Sequence, residues 1–474
     1  MKEIIKEYKN IFFDFFRDKR YSIVVILIGI LSYGFTITNY SIGLDDLCFD
    51  RYVEGTYILS ANRWGTWLLY NVLHITKFSP FWLDFIVAML MVFTATLICT
   101  AMKKVLKDKV SIWAYTLFTG IFLSNPIIGQ FFIYQSTNLS VVVSNIIGII
   151  SAIILIENMF TAKKKWMFIL VGEILIFAFS MYEASVQSFF AMLFILLLIK
   201  VRNETIGTKD VLEVLAMGMA STIIGIIGYE IIGKIINLVL DKMQMGVKDY
   251  ALHSIMWLDV NFWNVTLKEK IFLINEILVF PLFEIITRFF PATILVITSL
   301  ISIIFGIRES IKERKDIILP LLGIIFSSFL LIVVQGVIMF RVQFSWTITV
   351  AFLCMYILEE TKKIKALKYI VAILLIWLII IQTNTLNDFF YNEYRRFERE
   401  KISAYEIARD IKNCENYQYK TIVYIAKEEV PNQFYYTIDN KTLVLQWGTY
   451  AFDEMRNRNN QIYKQLWIQF SIQW

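Results

Sequence analysis

The chain has 474 residues, 57% hydrophobic and only 18% charged, with a mean hydropathy of +0.60. Soluble globular chains are roughly a quarter charged, so a wholly water-soluble protein is excluded and a polytopic membrane protein is expected. The net charge of +6 lies in short basic clusters between apolar runs, which is an orientation signal for membrane proteins and argues against nucleic-acid binding.

Residues 1–20 read as an amphipathic helix on the membrane surface, and Arg17, Lys19 and Arg20 at its end place the N-terminus in the cytoplasm. No small-residue cleavage site follows the first apolar run, so no cleavable signal peptide is expected. Apolar runs predict spans near 21–39, 81–101, 111–130, 139–157, 166–182, 184–201, 211–240, 290–307, 317–338, 344–359 and 367–383. Lysine and arginine clusters at 103–109, 163–165, 200–209, 308–315 and 362–368 fall on one side, the cytoplasm. The opposite connections, including 40–80, 241–289 and 384–474, are longer and richer in aromatic residues. Residues 64–80 read as an interfacial helix.

After residue 383 the chain turns polar. Residues 387–413 predict a charged helix, and 421–426 and 442–447 predict strands. The expected fold class is an all-α polytopic membrane protein of about eleven spans, N-in and C-out, with a small extracytoplasmic α/β tail. Its plan is a cytoplasmic helix at 1–20, a transmembrane domain at 21–383 with outer loops 40–80 and 241–289, and a tail at 384–474.

The loop at 40–70 gathers Asp45, Asp46, Asp50, Arg51 and Arg63 among aromatic residues. Adjacent carboxylates at an apolar interface repel one another and are costly to hold. Asp45 and Asp46 suit either a helix N-cap or a base that takes the proton of an attacking hydroxyl, with the second acid orienting the acceptor or pairing with an arginine. Arg341 is the only charge between Gly336 and Glu359. Arg63, Arg341 and Arg51 match phosphate geometry, although each also suits a snorkelling or carboxylate-paired arginine.

Tyr182 and Glu183 stand at a hairpin tip, where the acid serves either sugar hydroxyls or water, and Glu173 reads as a buried, paired acid. Trp64, Trp67, Trp82, Trp257 and Trp263 suit both sugar stacking and a membrane interface. Cys48, Cys99, Cys354 and Cys414 show no metal spacing, and His74 and His253 are the only histidines, so no metal site is indicated. Cys48 and Cys414 are expected on the outer side, more readily as thiols than as a pair. No Walker motif is present, which argues against an ATP-driven transporter.

An apolar span, Asp45-Asp46, Arg51, and about a dozen residues later Arg63-Trp64-Gly65 make a pattern that resembles the serotype-converting O-antigen glucosyltransferases of the Gtr II type. These belong to the GT-C class of polytopic glycosyltransferases. The turn SMYEAS resembles the family's Tyr-Gln turn, with Glu183 where Gln is usual, and Asn62 replaces a usual Gly. Arg341 matches an arginine at the outer end of a late span, and residues 391–411 resemble the family's helix after the last span.

The resemblance implies a GT-C-like fold in the bacterial plasma membrane. It implies an undecaprenyl-phosphate-linked sugar, often glucose, as donor, and a cell-surface glycan as acceptor on the extracytoplasmic face. Asp45 or Asp46 would be the general base of an inverting transfer. Arg63, Arg341 and Arg51 would hold the donor phosphate, with Trp64, Tyr182, Glu183 and Trp257 around the sugar. No cofactor is implied beyond the lipid-linked donor. Two rival readings stand beside it: a flippase of lipid-linked sugars, which would need charged, broken helices at the midplane, and a scaffold of a cell-wall polymer machine.

Overall fold

The computed structural model of the chain describes residues 2–39, 41, 46, 56–75, 79–162, 164–203, 206–242, 264–275, 279, 282–283, 286, 289–313, 316–335, 342–362, 364–413, 437–438 and 441–442. The first two helices, α1 (Lys2–Arg17) and α2 (Lys19–Thr38), meet at Asp18. Its carboxylate caps α2 by accepting from the Arg20 backbone N–H at 2.9 Å. Phe15 of α1 is buried against Tyr21 and Tyr115, at ring-centroid distances of 4.8 and 5.3 Å.

Two short helices follow, α3 (Thr56–Ser60) and α4 (Trp64–Val72), and then the long α5 (Pro80–Leu106). Next come α6 (Ile112–Ser124), α7 (Ile127–Ile133), α8 (Gln135–Phe160), α9 (Phe168–Met181), α10 (Ser185–Asn203) and α11 (Thr208–Lys242). The remainder is α12 (Leu267–Ile274), α13 (Phe290–Glu313), α14 (Ile318–Gln335), α15 (Phe344–Thr361) and α16 (Lys365–Asn413).

Among the described residues, seven helices are long and apolar enough to cross a membrane: α2, α5, α8, α10, α11, α13 and α16. The pair α6 and α7, bent by 48°, makes an eighth if it is one span. The bend has a local cause. Pro126 supplies no N–H and disfavours helix at Asn125, which is extended at φ −63°, ψ 124°. Asn125 Oδ1 then accepts from the Ile127 N–H at 3.1 Å and caps the second segment.

Burial separates core from periphery. The spans of α8 and α10 are each 78% buried, against 33% for α2 and α11. The interior helices therefore carry the polar side chains, while the outer ones present isoleucine and leucine to lipid.

The last expected span and the charged helix after it are one continuous helix of 49 residues, α16. No Pro or Gly interrupts it. Its polar half is laced by Arg396–Glu393 (3.0 Å), Arg396–Glu400 (2.7 Å) and Lys401–Glu398 (2.6 Å) pairs at helical spacing. Beyond it the described residues hold an antiparallel pair of two-residue strands, β1 (Thr437–Ile438) and β2 (Lys441–Thr442). The strand expected at 421–426 lies outside the described residues, as do residues 443–447 of the other. Glu173 is exposed on α9, so the buried pairing expected for it does not form. Its position faces outward from the packed side of that helix, which buries Val171, Gly172 and Leu175. Cys99 and Cys354 are buried free thiols, whereas Cys48 and Cys414 lie outside the described residues.

One end of the bundle is fixed by charge. Lys104 Nζ lies 3.0 Å from Glu157 and 3.3 Å from Glu7, and the Tyr8 hydroxyl donates to Glu157 Oε1 at 2.9 Å. This ties α1 to the C-terminal ends of α5 and α8. Ser136, at the other end of α8, is about 31 Å away at ~1.5 Å per residue.

Candidate active site

The corner at Asn62–Gly65 is shaped by two close approaches. Asn62 takes a left-handed φ of 60°, which a short polar side chain tolerates. A Cβ at Gly233 of α11 would sit 1.7 Å from Asn62 Oδ1, so glycine there leaves the room that the Asn62 side chain occupies. A Cβ at Gly65 would sit 2.0 Å from Ser180 Oγ and 3.1 Å from the Ser180 carbonyl carbon. Thr66 Oγ1 donates to the Met181 carbonyl at 3.2 Å, sealing the start of α4 onto the end of α9. This contact carries the Arg63 guanidinium over the Tyr182 ring, 5.5 Å from its centroid.

Tyr182 breaks the chain between α9 and α10 by adopting an extended backbone at φ −160°, ψ 112°. Its carbonyl accepts from Ser144 Oγ at 3.2 Å. A narrow cleft opens beside it. Arg63 and Tyr182 line one wall; Gln130, Tyr134, Thr137 and Asn138 line the other. The second wall exists because the chain turns at Tyr134 (φ −100°, ψ 69°) between α7 and α8.

Directly behind that wall lie two buried carboxylates. Asp46, 4% exposed, accepts from the Ser136 backbone N–H at 2.6 Å. That N–H is in the first turn of α8, where amides lack intrahelical acceptors and the helix dipole favours an anion. The Tyr70 hydroxyl donates to the Ser136 carbonyl at 2.6 Å. Burial and then the Asp46 charge push the Tyr70 phenol well above its ordinary pKa, which keeps it a donor. Asp84, fully buried near the start of α5, accepts from Gln135 Nε2 at 2.8 Å and Asn138 Nδ2 at 3.1 Å.

The structure therefore brings Asp46, Arg63 and Tyr182 to one end of the bundle. Asp45, Asp50, Arg51, Trp257 and Arg341 lie outside the described residues. Trp64 and Glu183 are described but do not line the cleft. Trp64 packs against Phe177 of α9 with ring centroids 6.2 Å apart, and its buried Nε1 has no hydrogen-bond partner. Glu183 accepts from the Tyr229 hydroxyl of α11 at 2.8 Å. Its neighbour on the turn, Tyr182, takes the cleft-facing position.

Sequence reasoning missed Asp84, Gln130, Asn138 and Tyr70. A signal for Asp84 was present: an acid just inside an apolar run is expensive and marks function by default. Gln130 and Asn138 carried no comparable signal. Among the described residues, no three His, Cys, Asp or Glu side chains converge as metal ligands. The cleft instead offers a guanidinium, neutral amides, a hydroxyl and two phenol rings, which suit a phosphate and a neutral polyol.

No curated protein and no solved structure matches the chain. A family match does exist: Glucosyl transferase GtrII, over residues 34–358, from the end of α2 through most of α15. The matched segment contains both cleft walls, Asp46 and Asp84, and covers well over half of the sequence, so the chain belongs to the GtrII glucosyl transferase family.

Proposed function

We propose that the protein transfers a sugar, glucose foremost, from an undecaprenyl-phosphate-linked donor to a cell-surface glycan on the extracytoplasmic face of the bacterial plasma membrane. The observation that carries this reading is the cleft lined by Arg63 and Asn138, with the buried Asp46 anchored two residues from Asn138, at Ser136 of α8. The arrangement lies at the opposite end of the bundle from the Lys104–Glu157 cluster and the amphipathic α1. The basic clusters of the sequence assign that α1 end to the cytoplasm.

In the proposed reaction an acceptor hydroxyl attacks the anomeric carbon from the face opposite the phosphate, and the carbon–oxygen bond to phosphate breaks. A carboxylate of the first outer loop takes the hydroxyl proton. Asp45 is the first choice for that base, because the Asp46 carboxylate is already engaged by the Ser136 backbone N–H. Asp46 then positions the loop. Arg63, Arg51 and Arg341 balance the charge that builds on the departing polyprenyl phosphate. The lipid tail leaves between spans, of which the full chain would have about eleven.

A flippase would concentrate charge at the membrane midplane, whereas Asp46, Asp84 and Arg63 cluster at one end of the described bundle. The test uses purified protein in lipid, a panel of polyprenyl-phosphate sugars and wall-glycan acceptors, with release of free polyprenyl phosphate as readout. The expected result is turnover with one sugar, lost in Asp45→Asn and weakened by a raised KM in Arg63→Ala and Arg341→Ala. Consumption of no donor by the wild type, with the Asp45→Asn and Asp46→Asn variants indistinguishable from it, would reject the transferase reading.

A further inference from the structure

The two amides beside Asp84 have a fixed polarity. Each Asp84 oxygen accepts one amide N–H, Oδ2 from Gln135 and Oδ1 from Asn138. Both side chains must therefore turn their nitrogens toward Asp84 and their oxygens away. Asn138 is fully buried and lines the cleft, yet its Oδ1 has no hydrogen-bond partner. Gln135 does not line the cleft; by occupying Oδ2 it holds the carboxylate in place for Asn138.

A buried acceptor left without a donor is costly, and the cleft wall around Asn138 is neutral: Gln130, Tyr134 and Thr137 flank it. The chemistry that completes such a site is a neutral O–H donor. We infer that Asn138, held in one amide orientation by Asp84, reads a single sugar hydroxyl by accepting its hydrogen bond at Oδ1. Asp84 acts as a positioning residue. The inference rests on the proposed sugar transfer, and it adds the specificity element of that cleft. The hydroxyl belongs either to the donor sugar or to the acceptor, and both offer the same chemistry.

The experiment compares kcat/KM for a full-hydroxyl donor and a series of monodeoxy donors, then for monodeoxy acceptors, in the wild type and Asn138→Ala. Donor binding without acceptor is measured in parallel. The wild type is expected to reject one deoxy position by about 10- to 100-fold, because Oδ1 is then left unpaired. Asn138→Ala is expected to lose that discrimination while retaining its ranking at the other positions. An effect confined to deoxy donors, in transfer and in binding, assigns the hydroxyl to the donor; one confined to deoxy acceptors assigns it to the acceptor.

Asp84→Asn frees the amide to turn and is expected to flatten the same position. Asp84→Asn with Asn138→Asp restores an N–H facing an acceptor and returns an oxygen to the cleft, so it is expected to recover discrimination. A uniform loss across all analogues in Asn138→Ala would overturn the inference and make Asn138 a packing residue. Binding without transfer by the wild type would count against the transferase reading alone, since the deoxy series read by binding still judges Asn138. Failure of the wild type to bind any sugar in the panel would overturn the inference as well.

Discussion

Asp46 and Ser136 are joined across 90 residues of sequence by a 2.6 Å hydrogen bond from the Ser136 backbone N–H to the Asp46 carboxylate. The bond ties the acidic loop after α2 to the first turn of α8, at the edge of the cleft. An amide at position 46 keeps an oxygen for that N–H. Asp46→Asn is therefore expected to fold with about 1 kcal/mol less stability and to transfer about ten-fold more slowly. Asp45→Asn is expected to lose about 10²- to 10⁴-fold in kcat with unchanged melting. Thermal unfolding in detergent alongside the transfer assay separates the two, and equal activity of Asp45→Asn and wild type would remove Asp45 as the base.

Gly65 leaves no room for a methyl group, because its Cβ would meet Ser180 Oγ at 2.0 Å. Gly65→Ala is expected to cost about 1–3 kcal/mol by overpacking and to raise donor KM by moving Arg63 off the Tyr182 ring. Ser180→Gly removes the opposing hydroxymethyl and should return part of the loss when combined with Gly65→Ala. A double variant no better than the single one would mean that the corner is held elsewhere.

At the α1 end, Lys104 and Glu157 side chains are 10% and 9% exposed and lie 3.0 Å apart. Removing Glu157 leaves Lys104 with only the exposed Glu7, 3.3 Å away, as its partner. Glu157→Ala is expected to destabilise by about 1–3 kcal/mol and to loosen α1, making the chain near Arg17 sensitive to limited proteolysis. The paired replacement Lys104→Met with Glu157→Leu should be close to neutral in melting temperature. Identical proteolysis patterns for wild type and Glu157→Ala would show that aromatic packing alone holds α1.

The α1–α2 corner carries a pH dependence with a defined sign. The Arg20 side chain, through its hydrogen bond to Asp18, is the main cause holding the Asp18 carboxyl below its ordinary pKa. A depressed carboxyl stabilises the fold above its unfolded pKa, about 3.9, and that contribution is lost as pH falls through the depressed value. Asp18→Asn retains the cap but removes the charge, so its melting temperature should equal the wild type's near pH 2 and fall below it at pH 7. A constant offset between the two at both pH values would contradict this assignment.

Much of the bundle was legible in sequence for a simple reason. Hydrocarbon leaves a backbone no partner but itself, so long apolar runs become helices almost at their expected limits, as with 21–39 and α2 (Lys19–Thr38). The break at Asn125-Pro126 was legible too, in the loss of an N–H at proline, although a single span was expected there. The 387–413 helix was read correctly as a helix and wrongly as a separate element, because polarity changes along α16 while backbone hydrogen bonding does not.

The candidate site was legible in part. Acids and arginines in the first loop announced themselves by their cost at a membrane interface, and Asp46, Arg63 and Tyr182 do meet at one end of the bundle. Trp64 suited both a sugar platform and a membrane interface, and the family resemblance placed it around the sugar; it packs on Phe177, since the tight fit at Gly65 sets the direction of its helix.

The sequence by itself determined that this is a multi-pass membrane protein of the GtrII kind, with its acids and arginines gathered in the first loop. Hydropathy and local motifs suffice for that, because both act over a few neighbouring residues. Only the tertiary structure decided that Asp84 faces Gln135 and Asn138, and that the buried Asn138 Oδ1 is left without a hydrogen-bond partner. Asp84 and Asn138 are 54 residues apart on different helices. Which side chains meet at such a distance is set by how helices pack, which no single stretch of sequence encodes.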